Sequence, residues 1–291
     1  MWLMAPLEDE DVEALLDAAL TYADGTFVYE LSAVERAAIL GVYDLYDTVL
    51  GQPHADLTPD ATAAARTFVE AGYAQVQIGG RLEKLRQRLL ASAESCPYCG
   101  FGEIRDLDHY LPKADYGELA IYPKNLVPSC SPCNNAKRRI VPGAGAAHGP
   151  GLIHPYFEPL PDVDFLLADV TFAGAALDVT FRVDPAQVPA VAPKLQFQLE
   201  RLKLNERYRK QINKFLSEQR TAVLMFNDMG PAPLREFLRL SAVNLGRSFG
   251  RNDWRPVLIR ALADNEDFCA APDLYLGALP ADVPEPVDEF V

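Results

Sequence analysis

The chain has no run approaching the roughly 20 consecutive apolar residues that a membrane span needs. Its start, Met1-Trp2-Leu3-Met4, passes straight into Glu8-Asp9-Glu10-Asp11, with neither the basic segment nor the long apolar stretch of a secretory leader. These absences predict a cytoplasmic protein with no membrane partner. No internal repeat is visible. Cysteine is scarce at five residues, which argues against a disulfide-dense secreted scaffold. Four of the five fall in two C-x-x-C pairs, a grouping that suits thiolates holding a metal in a reducing compartment. Cys269 stands apart and reads as a small core hydrophobe.

Positive charge is also short. The 27 Lys and Arg face 41 Asp and Glu, for a net charge of −14. That balance looks wrong for a protein that must touch phosphates, because neutralising the backbone is what gives nucleic-acid affinity. Its distribution changes the picture. Residues 1–76 hold 14 acidic and 2 basic side chains, residues 261–291 hold 8 acidic and none basic, and the stretch between holds 25 basic and 19 acidic. The mildly basic middle can therefore meet a phosphate. The acidic N-terminal region is expected to face a protein partner, a second subunit or the chain's own basic middle.

With 291 residues, about half of them apolar, the chain can bury one sizeable core or two modest ones. Helices are predicted from Asp9 to Leu20, from Ser32 to Leu50 and from Pro59 to Tyr73. Ser32 with Glu35 three residues on has capping-box spacing. After Gly79-Gly80, Leu82, Leu85 and Leu89 lay an apolar stripe on a helix whose other faces carry Arg81, Lys84, Arg86 and Arg88. Pro142 to Gly151 reads as a turn-rich loop, Val170 to Val183 as a hairpin broken near Gly174, and Pro193 to Leu262 as helical. Lys194 to Arg220 combines basic residues with an apolar series (Leu195, Leu199, Leu202, Leu204, Tyr208, Ile212, Phe215), which fits amphipathic helices with a solvated or nucleic-acid-facing basic side.

The chemistry is concentrated between residues 96 and 137. Cys96-Pro97-Tyr98-Cys99 and Cys130-Ser131-Pro132-Cys133 are two knuckle-type pairs, and four converging thiolates suit a closed structural zinc site. The thirty residues between them exceed ordinary zinc-ribbon spacing, so the metal pinches off a loop that contains something else. That loop carries Asp106-Leu107-Asp108-His109-Tyr110-Leu111-Pro112-Lys113 and, sixteen residues after the histidine, Asn125-Leu126-Val127-Pro128-Ser129. Asn134 follows Cys133 at once, and Lys137 comes three residues later.

This order resembles the HNH, or ββα-metal, endonucleases in their four-cysteine zinc form: C-x-x-C, then D-H-x-x-P, then N-L-x-x-x-C-x-x-C-[HN]-x-x-K. The resemblance implies a phosphodiester hydrolase acting on DNA rather than RNA. His109 would be the general base, since histidine titrates nearest to neutral pH. Asn125 would orient the imidazole. Asp108 and Asn134 would hold Mg²⁺ or Mn²⁺, hard cations that favour oxygen ligands. The residue after Cys133 is often histidine in this family; asparagine there makes the chain an HNN variant. Lys113 and Lys137 are candidate phosphate contacts with Arg138 and Arg139, and His154 a candidate accessory ligand or proton carrier. His54 and His148 read as surface residues.

The chain is therefore expected to be mainly α (α+β), with a small ββα-metal module between helical N- and C-terminal regions. The expected divisions are 1–90 for the acidic helical region, 91–160 for the nuclease module, and 161–291 for a hairpin, helices and acidic tail. By the same resemblance, a bacterial phage-defence or restriction-type effector is the expected setting. Two other readings fit these residues: a zinc-dependent binding module without catalysis, and a DNA-degrading toxin controlled by a partner.

Overall fold

The computed structural model describes residues 3–8, 10–143, 149–174 and 176–277; His148 and the acidic end of the tail lie outside them. The chain divides into two compact units, Met1–Pro161 with Val188–Leu204, and Asp162–Gln187 with Asn205–Val291. Among the described residues the structure is mainly α-helical, with two small two-stranded sheets.

The first unit opens on α1 (Val12–Ala19) and α2 (Ala33–Thr48). Asp11 caps α1 by accepting from the Ala14 N–H at 2.9 Å. At α2 the predicted capping box forms: Glu35 N donates to Ser32 Oγ, and Ser32 N to Glu35 Oε2 at 2.9 Å. Ile39, Val42, Tyr43 and Tyr46 then share the buried face of α2, the i, i+3, i+4, i+7 spacing of one helical stripe.

The single helix expected over 59–73 is corrected. The segment is a 3₁₀ turn at Asp60–Thr62, α3 at Arg66–Gly72 and a second 3₁₀ turn at Tyr73–Val76. The Pro59 carbonyl is taken by the Thr62 N–H at 3.1 Å. Thr62 Oγ1 and Arg66 Nε are meanwhile drawn to the buried Glu118 carboxylate, so tertiary partners override helical continuity. Leu82, Leu85 and Leu89 are buried as the stripe predicts, on and just before α4 (Glu83–Ala91).

A short antiparallel pair follows. In it β1 (Asp106–His109) pairs with β2 (Leu126–Ser129), Asp106 opposite Ser129 and His109 opposite Leu126. Immediately after β2 comes α5 (Ser131–Lys137), with Pro132 in its first turn, where a missing N–H costs nothing. The helix α6 (Ala192–Arg201) completes this unit, and its buried Gln198 bridges the Tyr98 carbonyl and the Ile153 N–H.

The second unit contains the hairpin β3 (Leu166–Ala173) and β4 (Ala176–Val183), then α7 (Leu204–Asn227) from Asn205 onward, α8 (Pro231–Phe249) and α9 (Trp254–Asp264), with the short α10 (Glu266–Ala270) and α11 (Asp273–Leu276). The hairpin starts at Leu166 rather than Val170, because the main-chain ladder continues to the Leu166–Val183 pair, and Asn252 Oδ1 accepts from the N–H groups of Phe165 and Leu166. Tyr208, Phe181, Phe215 and Trp254 make an aromatic core of edge-on and offset rings. Cys269 is fully buried there, as expected of a core hydrophobe.

Candidate functional site

The predicted site residues converge on the β1–β2–α5 element. Its cysteines come together first. The four sulfur atoms of Cys96, Cys99, Cys130 and Cys133 lie within 4.8 Å of one another, all buried. Cys99 and Cys130 are 3.8 Å apart, the edge of a tetrahedron built on Zn–S bonds of about 2.3 Å. The donor set therefore fits a zinc ion. Gly102 closes the cluster: a Cβ there would fall 2.6 Å from Cys130 Sγ, and its N–H points to Cys99 Sγ at 3.4 Å.

His109 ends β1. Its Nε2 lies 2.9 Å from the Ala120 carbonyl, and the Tyr73 ring meets it edge-on at 4.4 Å. A carbonyl only accepts, so Nε2 carries the ring proton and Nδ1 keeps its lone pair. Burial is the main reason this imidazole is pushed down to about 4, against the pull of the Ala120 hydrogen bond, which leaves it neutral at pH 7.

Asn125 is fully buried, just before β2. Its Nδ2 donates to the carbonyls of Leu111 (3.0 Å) and Leu119 (3.1 Å), and its Oδ1 accepts from Leu111 N at 2.8 Å. Leu111 follows His109 by two residues and Leu119 precedes Ala120. One amide thus ties both the chain that carries the imidazole and the chain that carries its acceptor.

Strand alternation places Asp106 and Asp108 on the opposite face from His109, and α5 lies over that face. Asn134 Nδ2 donates to Asp106 Oδ2 at 3.3 Å. Asp108 is 3% exposed and accepts from Tyr98 Oη at 2.8 Å and from Lys137 Nζ at 3.0 Å. Burial pushes the Asp108 carboxyl up, and the Lys137 ammonium opposes the rise. The carboxylate and amide oxygens on this face are the hard donors a divalent cation takes. Of them, Asp106 and Asn134 are half-buried, whereas Asp108 is held by protein groups.

The remaining candidates separate. Lys137, expected at a phosphate, is instead 1% exposed, because its ammonium is drawn in by Asp108 and by the His109 carbonyl at 2.7 Å. Lys113 lies 3.7 Å from Glu70 and over the Tyr73 ring. Arg139 is ion-paired with Asp115. Arg138 is exposed, its side chain has no hydrogen-bond or ion-pair partner among the described residues, and its backbone, whose N–H donates to the Asn134 carbonyl at 3.1 Å, sits at φ 53°, ψ −127°. His154 is fully buried and meets Tyr46 Oη at 3.0 Å rather than reaching His109. His54 is exposed, as predicted.

Part of the acidic N-terminal charge is matched within this unit. Glu10 pairs with Arg88, Glu13 and Asp17 with Arg36, and Asp47 with Lys124. Sequence reasoning missed Asp106, Tyr98 and Tyr73. A signal for Asp106 was present, since two residues before Asp108 on a strand is the same face; nothing local marks the two tyrosines, which arrive from outside β1.

A profile of the HNH endonuclease family matches residues 96–139. The protein ea31 of Escherichia phage lambda is 32% identical to this chain over 199 residues, 62% of this chain and 65% of that protein, so the chain spans just under two-thirds of its relative's length. No solved structure matches. What this chain carries between Cys96 and Arg139 is a domain of the HNH endonuclease family, with its four cysteines gathered where they could hold zinc.

Proposed function

We propose that the chain is a metal-dependent endonuclease that hydrolyses phosphodiester bonds of DNA. The observation that carries this reading is the His109–Ala120 hydrogen bond, which fixes the tautomer and leaves a neutral, half-buried imidazole with its Nδ1 lone pair free to take a proton from water. Asn125 holds the ring and its acceptor in register. Asp108 and Asn134, with Asp106 beside Asn134, would hold Mg²⁺ or Mn²⁺. Such a cation, when bound, supplies positive charge to the phosphate and the leaving oxygen.

For Asp108 to join it, the carboxylate must exchange the Lys137 ammonium for the ion. Arg138, whose side chain has no protein partner among the described residues, would meet a phosphate. The four cysteines would hold one structural zinc that fixes β2 and α5 against the Cys96–Cys99 turn. A role in restriction or phage defence follows from the family resemblance and from nothing in the geometry.

Supercoiled plasmid incubated with the zinc-loaded protein should be nicked or linearised with Mg²⁺ or Mn²⁺ and left intact without them. His109→Ala should keep fold and zinc while cutting about 10²–10⁴-fold more slowly. Equal cutting by His109→Ala and wild type, in preparations free of other nucleases, would place the activity elsewhere; no cutting of DNA by either would favour a binding module.

A further inference from the structure

We infer that Tyr46 on α2 and His154 after the nuclease domain are positioning residues for His109, acting through the Asn125 amide. The inference rests on reading His109 as the general base. Asn125 orders the site in only one orientation of its amide, because Oδ1 must face Leu111 N while Nδ2 faces two carbonyls. The fourth bond comes from outside the domain: Tyr46 Oη donates to Oδ1 at 3.0 Å. With it the amide uses two donors and two acceptances and has no position left unmade.

The direction of that bond is set one step further away. The Tyr156 N–H donates to His154 Nδ1 at 3.2 Å, so Nδ1 is the unprotonated nitrogen and Nε2 carries the hydrogen. Nε2 lies 3.0 Å from Tyr46 Oη and donates to it. The tyrosine's single proton is then left for Asn125, and burial keeps that hydroxyl protonated. The order His154 Nε2–H to Tyr46 Oη–H to Asn125 Oδ1 is therefore directional, and it moves no proton in the reaction.

The surroundings are built for it. His154 is anchored by its own N–H to Glu158 Oε2 at 2.7 Å. Gly51 (φ 72°) leaves the ring its space, since a Cβ there would fall 2.6 Å from Nε2. Burying a tyrosine hydroxyl and an imidazole costs stability unless both are hydrogen-bonded, and an apolar pair would fill the volume without that cost. Their polar atoms make sense as the clamp on Asn125.

The test uses the full-length, zinc-loaded chain and its Tyr46→Phe, His154→Leu and His154→Gln variants, followed by the ring ¹⁵N signals of its four histidines and by plasmid cleavage with Mg²⁺. In wild type, His109 should show one tautomer, protonated at Nε2. Tyr46→Phe and His154→Leu should mix its tautomers and lower kcat about 10-fold with KM for DNA unchanged, whereas His154→Gln, which keeps an N–H donor, should lose less on both readouts. A folded Tyr46→Phe with unchanged His109 signals overturns the inference. Should Tyr46→Phe not fold, identical His109 signals in His154→Leu and His154→Gln overturn it equally. If wild type cuts nothing, the general-base reading fails by itself, and the ring signals still decide whether Tyr46 and His154 position His109.

Discussion

Lys137 Nζ lies 3.0 Å from Asp108 Oδ2 with the two side chains 1% and 3% exposed, and the same ammonium donates to the His109 carbonyl at 2.7 Å. A buried pair of this kind recovers its desolvation cost only when the leftover donors and acceptors are filled. Tyr98 Oη and the His109 carbonyl do that here. Removing the ammonium strands a buried carboxylate. Lys137→Met should therefore cost about 3–5 kcal/mol of stability. If Asp108 is a ligand for the divalent metal, millimolar Mg²⁺ should recover part of the loss by supplying the missing positive charge. Urea denaturation of the zinc-loaded variant with and without Mg²⁺ measures both, and a variant as stable as wild type would deny the pair a structural role.

Gly102 is not among the glycines of positive φ, so what decides an alanine there is the space its Cβ meets. Its Cβ would press on Cys130 Sγ at 2.6 Å and on Cys99 Sγ at 3.2 Å. Wild type should contain one zinc per chain, and Gly102→Ala should release it to a competing chelator at a concentration about 10-fold lower or less, with a lower Tm. Elemental analysis and chelator titration check this; unchanged zinc retention would mean that the thiolates are not the metal's ligands or that the loop yields freely.

Arg138 occupies a region of backbone conformation that glycine adopts readily and an L side chain does not. Arg138→Gly should thus raise stability by about 1 kcal/mol. If the guanidinium meets a phosphate, the same substitution should weaken DNA binding and reduce the slope of log K against log salt by about 1. Opposite signs on stability and binding are the expected outcome, read by denaturation and by salt-dependent binding titrations. A gain in stability with binding untouched would leave Arg138 as strain without use.

Burial, with the Lys194 and Lys137 charges behind it, holds His154 well below its ordinary pKa of 6.5. The unfolded chain then binds a proton that the folded one refuses, so stability is complete above pH 6.5 and falls as the pH drops below it. This one imidazole should contribute a slope of about 1.4 kcal/mol per pH unit below 6.5. The difference between wild type and His154→Gln, each unfolded in urea at several pH values from 7 to 5, isolates it; parallel curves would show that His154 is not held neutral.

Features set by near neighbours in the chain were legible without a structure. The Ser32–Glu35 capping box, the Leu82–Leu85–Leu89 stripe and the helical stretch after Pro193 form as their spacing predicts, because caps and helical faces depend on residues three and four apart. The segment from Pro59 to Tyr73 shows where this stops. Thr62 and Arg66 are bound to Glu118, more than fifty positions away, and no local pattern announces that partner.

The site divides in the same way. Sequence by itself determined that Cys96, Cys99, Cys130 and Cys133 belong together and that the segment carrying Asp108, His109, Asn125 and Asn134 resembles an HNH domain, since paired knuckles and polar landmarks at fixed spacing have few other uses. Only the tertiary structure decided which charges face outward and which polar groups are consumed inside. Lys137 reads in sequence like Arg138, yet one is swallowed by Asp108 and the other left in solvent. Tyr46 reads as one more apolar position on a helix, yet its hydroxyl reaches an amide 79 residues away. Burial and hydrogen-bond pairing are properties of three-dimensional neighbours, so the cost of desolvating a charge, and the partner that offsets it, exist only once the chain has folded.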